Sequence, residues 1–337
     1  MTEVVIVGSG VIGASIAWHL ASRGCRDVRV VDWAPTAGEG STSKATGGFR
    51  AQFATDVNVR LSLLSRAKLL RFKEETGVDP EYRPCGYLFL ARDADQLRSL
   101  RAAQRMQRAA GLGEAREVTP AEIHEINPAV ALDGIAGGTF CPSDGFIRPM
   151  KILEGYVTAA QRLGVRFEYG VAVGDFKSIA AKHTVNATGA WAGELSRIPV
   201  TPLKRQVAAT VATSVLLLLL MPHETPSSFD MTFDSSWIDS VVKRAHVRVP
   251  ILRDVPIDRA ACWAGLYEMS PDKHVLLGKH EGVWVANGSS GHGNMHAPAI
   301  GELMAQMILG ETTTIDVTAL RPSRFAEGKA NPCDGLL

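Results

Sequence analysis

The sequence predicts an α/β chain, α+β overall, and three observations carry that prediction. Val4-Val5-Ile6-Val7 is a β-branched run that reads as a buried parallel strand. Gly8, Gly10 and Gly13 follow in the G-x-G-x-x-G spacing, and an amphipathic helix pattern runs on to Leu20. Val28-Arg29-Val30-Val31 reads as a second strand and ends on Asp32, about 20 residues past the glycines, where this fingerprint places an acid. Together they make a Rossmann-type dinucleotide-binding domain, and β-rich stretches further on make a second domain based on β-sheet.

Each glycine has a reason. Gly8 permits the tight turn, Gly10 lets a pyrophosphate reach the backbone, and Gly13 lets the helix pack on the strand. The helix start at Val11 and Ile12 offers free N–H groups and a positive dipole end. Asp32 can accept bonds from a ribose 2′-hydroxyl and disfavours a 2′-phosphate; Trp33 follows it. A doubly wound fold whose turn binds nothing is the plain alternative. The motif alone does not separate NAD from FAD.

Bulk properties bound the rest. The 337 residues suffice for two domains or one elaborated domain. Lys plus Arg is 36 and Asp plus Glu is 35, which argues against a nucleic-acid or anionic-membrane surface. The first strand begins at once, so no signal peptide is expected, and the expected location is cytoplasmic. The longest apolar run, 215–221, is too short for a bilayer, and Leu216 to Leu220 within it read as a buried strand. Cys25, Cys85, Cys141, Cys262 and Cys333 are scattered without C-x-x-C, as reduced thiols are, and no metal site is expected.

Along the chain, 36–48 is a Gly/Ser/Thr-rich loop, with Ser41, Thr42, Ser43, Lys44, Thr46, Gly47 and Gly48 available to a phosphate or ring; a flexible surface loop is the bland reading. Arg50 just after it suits a bidentate clamp on a carboxylate, or a surface ion pair. A helix is expected over 57–76, a strand over 86–91, and a basic helix over 94–110. Thr119, Pro120 and Glu122 form a helix start with a capping box. A strand over 134–140, a turn at 142–145, a helix over 149–163, and sheet at 165–169 and 171–173 follow. His183 to Asn186 is a short strand running into the small residues Ala187, Thr188, Gly189 and Ala190, then Trp191. The 200–215 stretch is β-rich, 235–245 helical and 262–267 a strand. Val283 to Asn287 then enters a second Gly/Ser-rich turn, with Gly291, His292, Gly293, Asn294 and Met295, and a helix to Leu309. Glycine turns at both ends of the chain suit one long ligand, and FAD fits better than NAD.

These stretches resemble the FAD-dependent amine and amino-acid oxidoreductases of the D-amino-acid oxidase superfamily, in the sarcosine oxidase, dimethylglycine dehydrogenase and β-type proline dehydrogenase branch. The resemblance runs from Val4 to Phe325. It rests on the glycine triplet with Asp32, the Gly40-to-Phe53 loop, Asn186 to Trp191, Gly265-Leu266-Tyr267 with Ser270-Pro271-Asp272, and Ser290 to Gly301. It implies an FAD domain from 1–80, 140–192 and 269–330, and a substrate domain from 81–139 and 193–268. Gly8, Gly10, Val11, Ile12, Gly13, Asp32 and Trp33 would hold the ADP half. The 41–48 loop would lie along the pyrophosphate, ribityl chain and ring, Val173 by the adenine, and Ala187, Thr188, Gly189 and Trp191 along the middle. Gly265 and the 291–295 turn would sit by the flavin. Arg50, Tyr267 and His292 would lie on the substrate side. The implied reaction is oxidation of the C–N bond of a small or N-methylated amino acid, by hydride transfer to flavin N5 and hydrolysis of the imine. The electron acceptor would be O2 or another acceptor. A flavoprotein subunit that serves a partner chain, and a non-catalytic assembly protein, are the alternatives.

Four departures qualify that picture. Gly265 stands where monomeric sarcosine oxidases bond the flavin through Cys, so non-covalent FAD is expected, with Cys262 buried. Met295 stands where those enzymes place a carboxylate-binding Lys, leaving Arg50 as the clamp. Val275 replaces a frequent Pro. The joins at 174–185, 193–199 and 212–216 are short, either as real deletions or as loops missing from the sequence.

Overall fold

The computed structural model describes residues 2–211 and 227–332. The apolar run 215–221, the join 212–216 and Cys333 lie outside the described residues. The chain opens as expected: β1 (Thr2–Val7), the glycine turn, α1 (Val11–Ser22) and β2 (Val28–Asp32). The 36–48 loop is more ordered than its composition suggests. It holds a 3-10 turn at Thr42–Lys44 and ends in a two-residue strand, β3 (Gly48–Phe49). Then come α2 (Asp56–Thr76), β4 (Tyr87–Ala91), α3 (Ala94–Ala109), β5 (Arg116–Val118) and α4 (Pro120–Ile126). The α4 start carries both bonds of the capping box between Thr119 and Glu122.

The strand expected from 134 begins later, as β6 (Gly137–Cys141), because Gly134 turns the chain at φ +65°. β7 (Gly145–Phe146), α5 (Pro149–Arg162) and β8 (Arg166–Tyr169) follow. The sheet expected at 171–173 is absent. Gly170 turns at φ +71°, and one bond, from the Val171 N–H to the Asp32 carbonyl at 2.8 Å, continues the pairing. A 3-10 turn capped by Asp175 closes the first short join and leads into β9 (Ala181–Asn186). The second join holds α6 (Ala192–Ser196). β10 (Thr201–Val207), α7 (Trp237–Arg248), β11 (Trp263–Met269), β12 (Leu276–His280), β13 (Val283–Asn287) and α8 (Gly293–Leu309) complete the described chain. β12 was not anticipated; it pairs antiparallel with β13.

The main sheet has the order β12-β13-β9-β1-β2-β8, parallel from β13 to β8. α1 is buried all round from Val11 to Ala21, because it lies over the sheet and between α8 and α5. Such a helix needs no polar face. Three smaller antiparallel sheets stand beside this core: β4-β6-β5 flanked by α3 and α4, the ribbon β10-β11, and the pair β3-β7. This is a mixed α/β architecture around a Rossmann-like parallel sheet. The turns after β1, β2, β9 and β13 all leave the sheet at its carboxyl ends, where ligands of such sheets lie.

Among the described residues no helix is long and apolar enough to cross a membrane, and no His/Cys/Asp/Glu cluster could hold a metal. Cys25, Cys85, Cys141 and Cys262 are unpaired.

Candidate active site

A cavity of about 1300 Å³ runs along those carboxyl ends. That exceeds the ~300–1,000 Å³ of an ordinary small-molecule pocket and leaves room for a long ligand with a second molecule beside it. Of the residues singled out in the sequence, the cavity wall includes Gly8, Gly10, Val11, Ile12, Asp32, Trp33, Ser41, Thr42, Lys44, Thr46, Gly47, Gly48 and Arg50. It also includes Val173, Ala187, Thr188, Gly189, Trp191, Gly265, Tyr267, Gly291, His292, Gly293, Asn294 and Met295. Gly13 and Ser43 are off the wall. A Cβ on Gly13 would come 1.9 Å from the Gly8 carbonyl oxygen, so its smallness serves helix-on-turn packing. Ser43 is exposed and its hydroxyl turns back to the Gly40 carbonyl.

At one end, Asp32 accepts the Ser9 N–H at 2.6 Å, the Ser9 hydroxyl at 2.8 Å and the Ala34 N–H at 2.9 Å. An ionised carboxylate has about four acceptor sites, so one is left for a ribose hydroxyl. Next to it, α1 starts without a side-chain cap; the Val11 N–H meets Thr42 Oγ1 at 3.1 Å, and those of Ile12 and Gly13 lack partners four residues back. At the far end, α8 also starts without a side-chain cap, behind His292. Two bare helix N-termini on one cavity suit an electron-rich ligand that reaches both. A dinucleotide with a pyrophosphate and an electron-rich ring fits them, and the residues present therefore fit FAD.

The α8 end carries the chemistry-bearing side chains. Arg50 is buried at 6 % exposure and has no ion-pair partner among the described residues. Its Nη1 donates to the Gln52 carbonyl at 2.5 Å and its Nη2 to His292 Nε2 at 3.3 Å. The guanidinium stacks on Phe53, 3.9 Å from the ring centroid. Of its five N–H donors, three remain. Asp144 is fully buried and fixes the approach to Arg50: it accepts the Ala51 N–H at 2.7 Å and the Gln52 amide at 3.3 Å. Burial pushes its carboxyl up to about 6.

His292 is held neutral, well below its ordinary value, by burial and the neighbouring Arg50. Because Nε2 accepts from Arg50, Nδ1 carries the proton, and the ring is no waiting base. His296 lies off the cavity, bonded through Nε2 to Ser62 Oγ at 2.9 Å and against Phe53. Burial pushes it down to about 3, as in a packed core histidine. Tyr267 stays protonated because burial raises its pKa. Arg205 on β10 lies 5.5 Å over its ring.

The departures acquire physical content here. A Cβ on Gly265 would lie 2.6 Å from Lys44 Cβ, so the strand leaves no room there for a longer side chain. Cys262, expected buried, is half-buried and off the cavity. It precedes β11, and its sulfur bonds the Asp258 carbonyl at 3.3 Å and the Ala209 N–H at 3.4 Å. Met295 brings no charge. Asp272, one of the motif residues, faces away to pair with Arg324 through both carboxylate oxygens, at 2.8 and 2.9 Å. The cavity also includes Tyr87, Phe89, Arg205 and Glu268, which sequence reading did not single out. Glu268 had a visible signal, an acid inside an otherwise apolar strand.

Comparison with known proteins agrees with this geometry. Residues 3–307 match the model of the family described as FAD dependent oxidoreductase (DAO). Glycine oxidase of Geobacillus kaustophilus is 28% identical over 370 residues, covering 96% of this chain and 97% of that protein. Mitochondrial dimethylglycine dehydrogenase of Rattus norvegicus is 27% identical over 390 residues; the match covers 96% of this chain but 45% of that longer protein. The crystal structure of L-proline dehydrogenase from P. horikoshii superposes with a TM-score of 0.90 at 27% identity, over 98% of this chain and 99% of that one.

Proposed function

The chain belongs to the FAD-dependent oxidoreductase (DAO) family, and on that premise we propose that it oxidises the C–N bond of a small amino acid or N-alkylated amino acid. The observation that carries this reading is Arg50, a buried guanidinium at the flavin end of the cavity that forms no ion pair among the described residues, Asp144 acting on it only at longer range. The similarity to proteins named for glycine, dimethylglycine and proline supports it.

FAD, when bound non-covalently, supplies the hydride acceptor at flavin N5. Gly8, Gly10, Val11, Ile12, Asp32 and Trp33 would hold its ADP half, with Val173 by the adenine. Ser41, Thr42, Lys44, Thr46, Gly47, Gly48, Ala187, Thr188, Gly189 and Trp191 would line its middle, and Gly265 and the 291–295 turn its ring. The α8 N-terminus would stabilise negative charge that develops there. Arg50 would grip the substrate carboxylate through its remaining N–H groups, two of which can pair with both carboxylate oxygens. Phe53 and the Gln52 carbonyl keep that fork from rotating. His292 points the fork, and its neutrality keeps a second cation away from the amine. Tyr267 closes the substrate side. The amine must arrive neutral to release hydride; Arg50, neutral His292 and protonated Tyr267 do not take its proton, which goes to solvent. Water then hydrolyses the imine outside the grip.

The test is anaerobic mixing of the FAD-loaded protein with glycine, sarcosine, dimethylglycine, proline and D-amino acids. The expected result is bleaching of the oxidised flavin band by at least one of them, faster as pH rises toward the amine pKa. No bleaching with any would overturn the reading.

A further inference from the structure

Sheet order sets the path of an extended dinucleotide. β13, β9, β1 and β2 are neighbours in that order. The ribose belongs at the end of β2, beside Asp32. The pyrophosphate belongs at the turn after β1, and the flavin ring at the turn after β13. Neighbouring strands lie about 4.8 Å apart, so the portion crossing the end of β9 is the link between pyrophosphate and ring. In FAD that link is the ribityl chain, which carries hydroxyls and no charge.

Glu268 stands at that point. It lies on β11, where alternation puts it on the face opposite Gly265 and Tyr267. It is 7 % exposed and lines the cavity. Its Oε1 accepts the Ser289 N–H at 3.2 Å and the Ser289 hydroxyl. Its Oε2 makes no hydrogen bond among the described residues, and it lies 3.9 Å from where a Cβ on Gly189 would be. Gly189 belongs to the turn after β9. Oε2 therefore keeps its lone pairs open to the cavity, where a ligand hydroxyl can reach them.

We propose that Glu268 is a cofactor-contacting residue whose Oε2 hydrogen-bonds a ribityl hydroxyl of bound FAD. This rests on the reading that lays FAD across both glycine turns, and not on which amine is oxidised. Burial raises the Glu268 pKa against the pull of the Ser289 hydroxyl and the nearby backbone N–H groups. A hydroxyl both donates and accepts, so it satisfies the group in either protonation state. A phosphate beside a carboxylate would not.

The experiment titrates the apoproteins of the parent, Glu268→Gln and Glu268→Ala with FAD and with 2′-, 3′- and 4′-deoxyribityl FAD, followed by flavin fluorescence. Circular dichroism of each apoprotein reports folding. Loss of a bond to a carboxyl predicts FAD binding about tenfold or more weaker in Glu268→Ala, and within about threefold of the parent in Glu268→Gln. One deoxy analogue should bind the parent about tenfold more weakly than FAD, yet bind Glu268→Ala as well as FAD does. Parent affinity in Glu268→Ala, or equal loss for every deoxy analogue in parent and variant, overturns the proposal. If Glu268→Ala does not fold, the parent and Glu268→Gln decide: no deoxy analogue weaker than FAD on the parent overturns it. These readouts need no substrate, so a failure here is distinct from a failure of the amine reading.

Discussion

At Arg50 the chain buries a cation between an aromatic ring, a carbonyl and a neutral histidine, and leaves the rest of its donors unspent. Lysine cannot reproduce a planar fork, so Arg50→Lys is expected to raise KM about 100-fold with FAD affinity unchanged, measured by steady-state kinetics and flavin titration. Asp144 gives a prediction of stability against pH. Its folded pKa, about 6, lies above the ordinary 3.8. The native chain therefore binds that proton more tightly than the unfolded chain, and ionisation costs stability as pH rises through this window. Asp144→Asn keeps an acceptor for the Ala51 N–H. It should melt higher than the parent at pH 8 and lose that advantage toward about pH 4, in thermal melts across pH. Residue types were legible where chemistry restricts the choice: Arg50 after a glycine loop, Asp32 after a strand. What Arg50 lacks was not legible, because the absence of an ion pair is a property of the packed neighbourhood. His292 and His296 lie four residues apart on one turn and helix, and their partners, Arg50 and Ser62, separate their roles.

Elements with strong local signals were legible almost to the residue. The glycine triplet, the Thr119 capping box and Gly77 ending α2 at φ +82° each reflect a backbone demand that few residues meet. Thr119→Ala should cost about 1 kcal/mol of stability in a denaturant melt, through loss of the cap on α4. Gly8→Ala should be far more damaging to cofactor binding than to solubility. Gly8 sits at φ +109°, and its Cβ would lie 2.2 Å from the Ala187 carbonyl oxygen, so the β1 turn and the β9 turn would have to separate. The expected product is purified without flavin. Elements set by tertiary pairing were not legible. β12 exists because β13 offers it an edge, 171–173 fails as a strand because Gly170 turns it away, and β3 needs β7.

On the scale of the whole molecule, a single sheet order explains why segments nearly 300 residues apart in sequence meet on one ligand, since β1, β9 and β13 are neighbours. The sequence implied this only through two separate glycine turns; the strand order between them came from pairing. The C-terminal part is tied on by a fully buried bidentate pair, Arg324 with Asp272, to which Asn331 adds two bonds of 3.0 Å. These partners hold the Asp272 carboxyl well below its usual range. Arg324→Ala strands that charge and should cost about 3–5 kcal/mol in a denaturant melt. The proposed reaction depends on a carboxylate held at Arg50 while the neighbouring C–N bond is oxidised. The most direct measurement is the anaerobic flavin-reduction rate with the best amino acid from the panel, set against the same amine without its carboxylate. A clamp at Arg50 predicts fast bleaching by the amino acid, bleaching at least about 100-fold slower by the bare amine, and loss of that preference in Arg50→Ala. Equal rates for acid and bare amine in the parent, or an unchanged preference in Arg50→Ala, would contradict it.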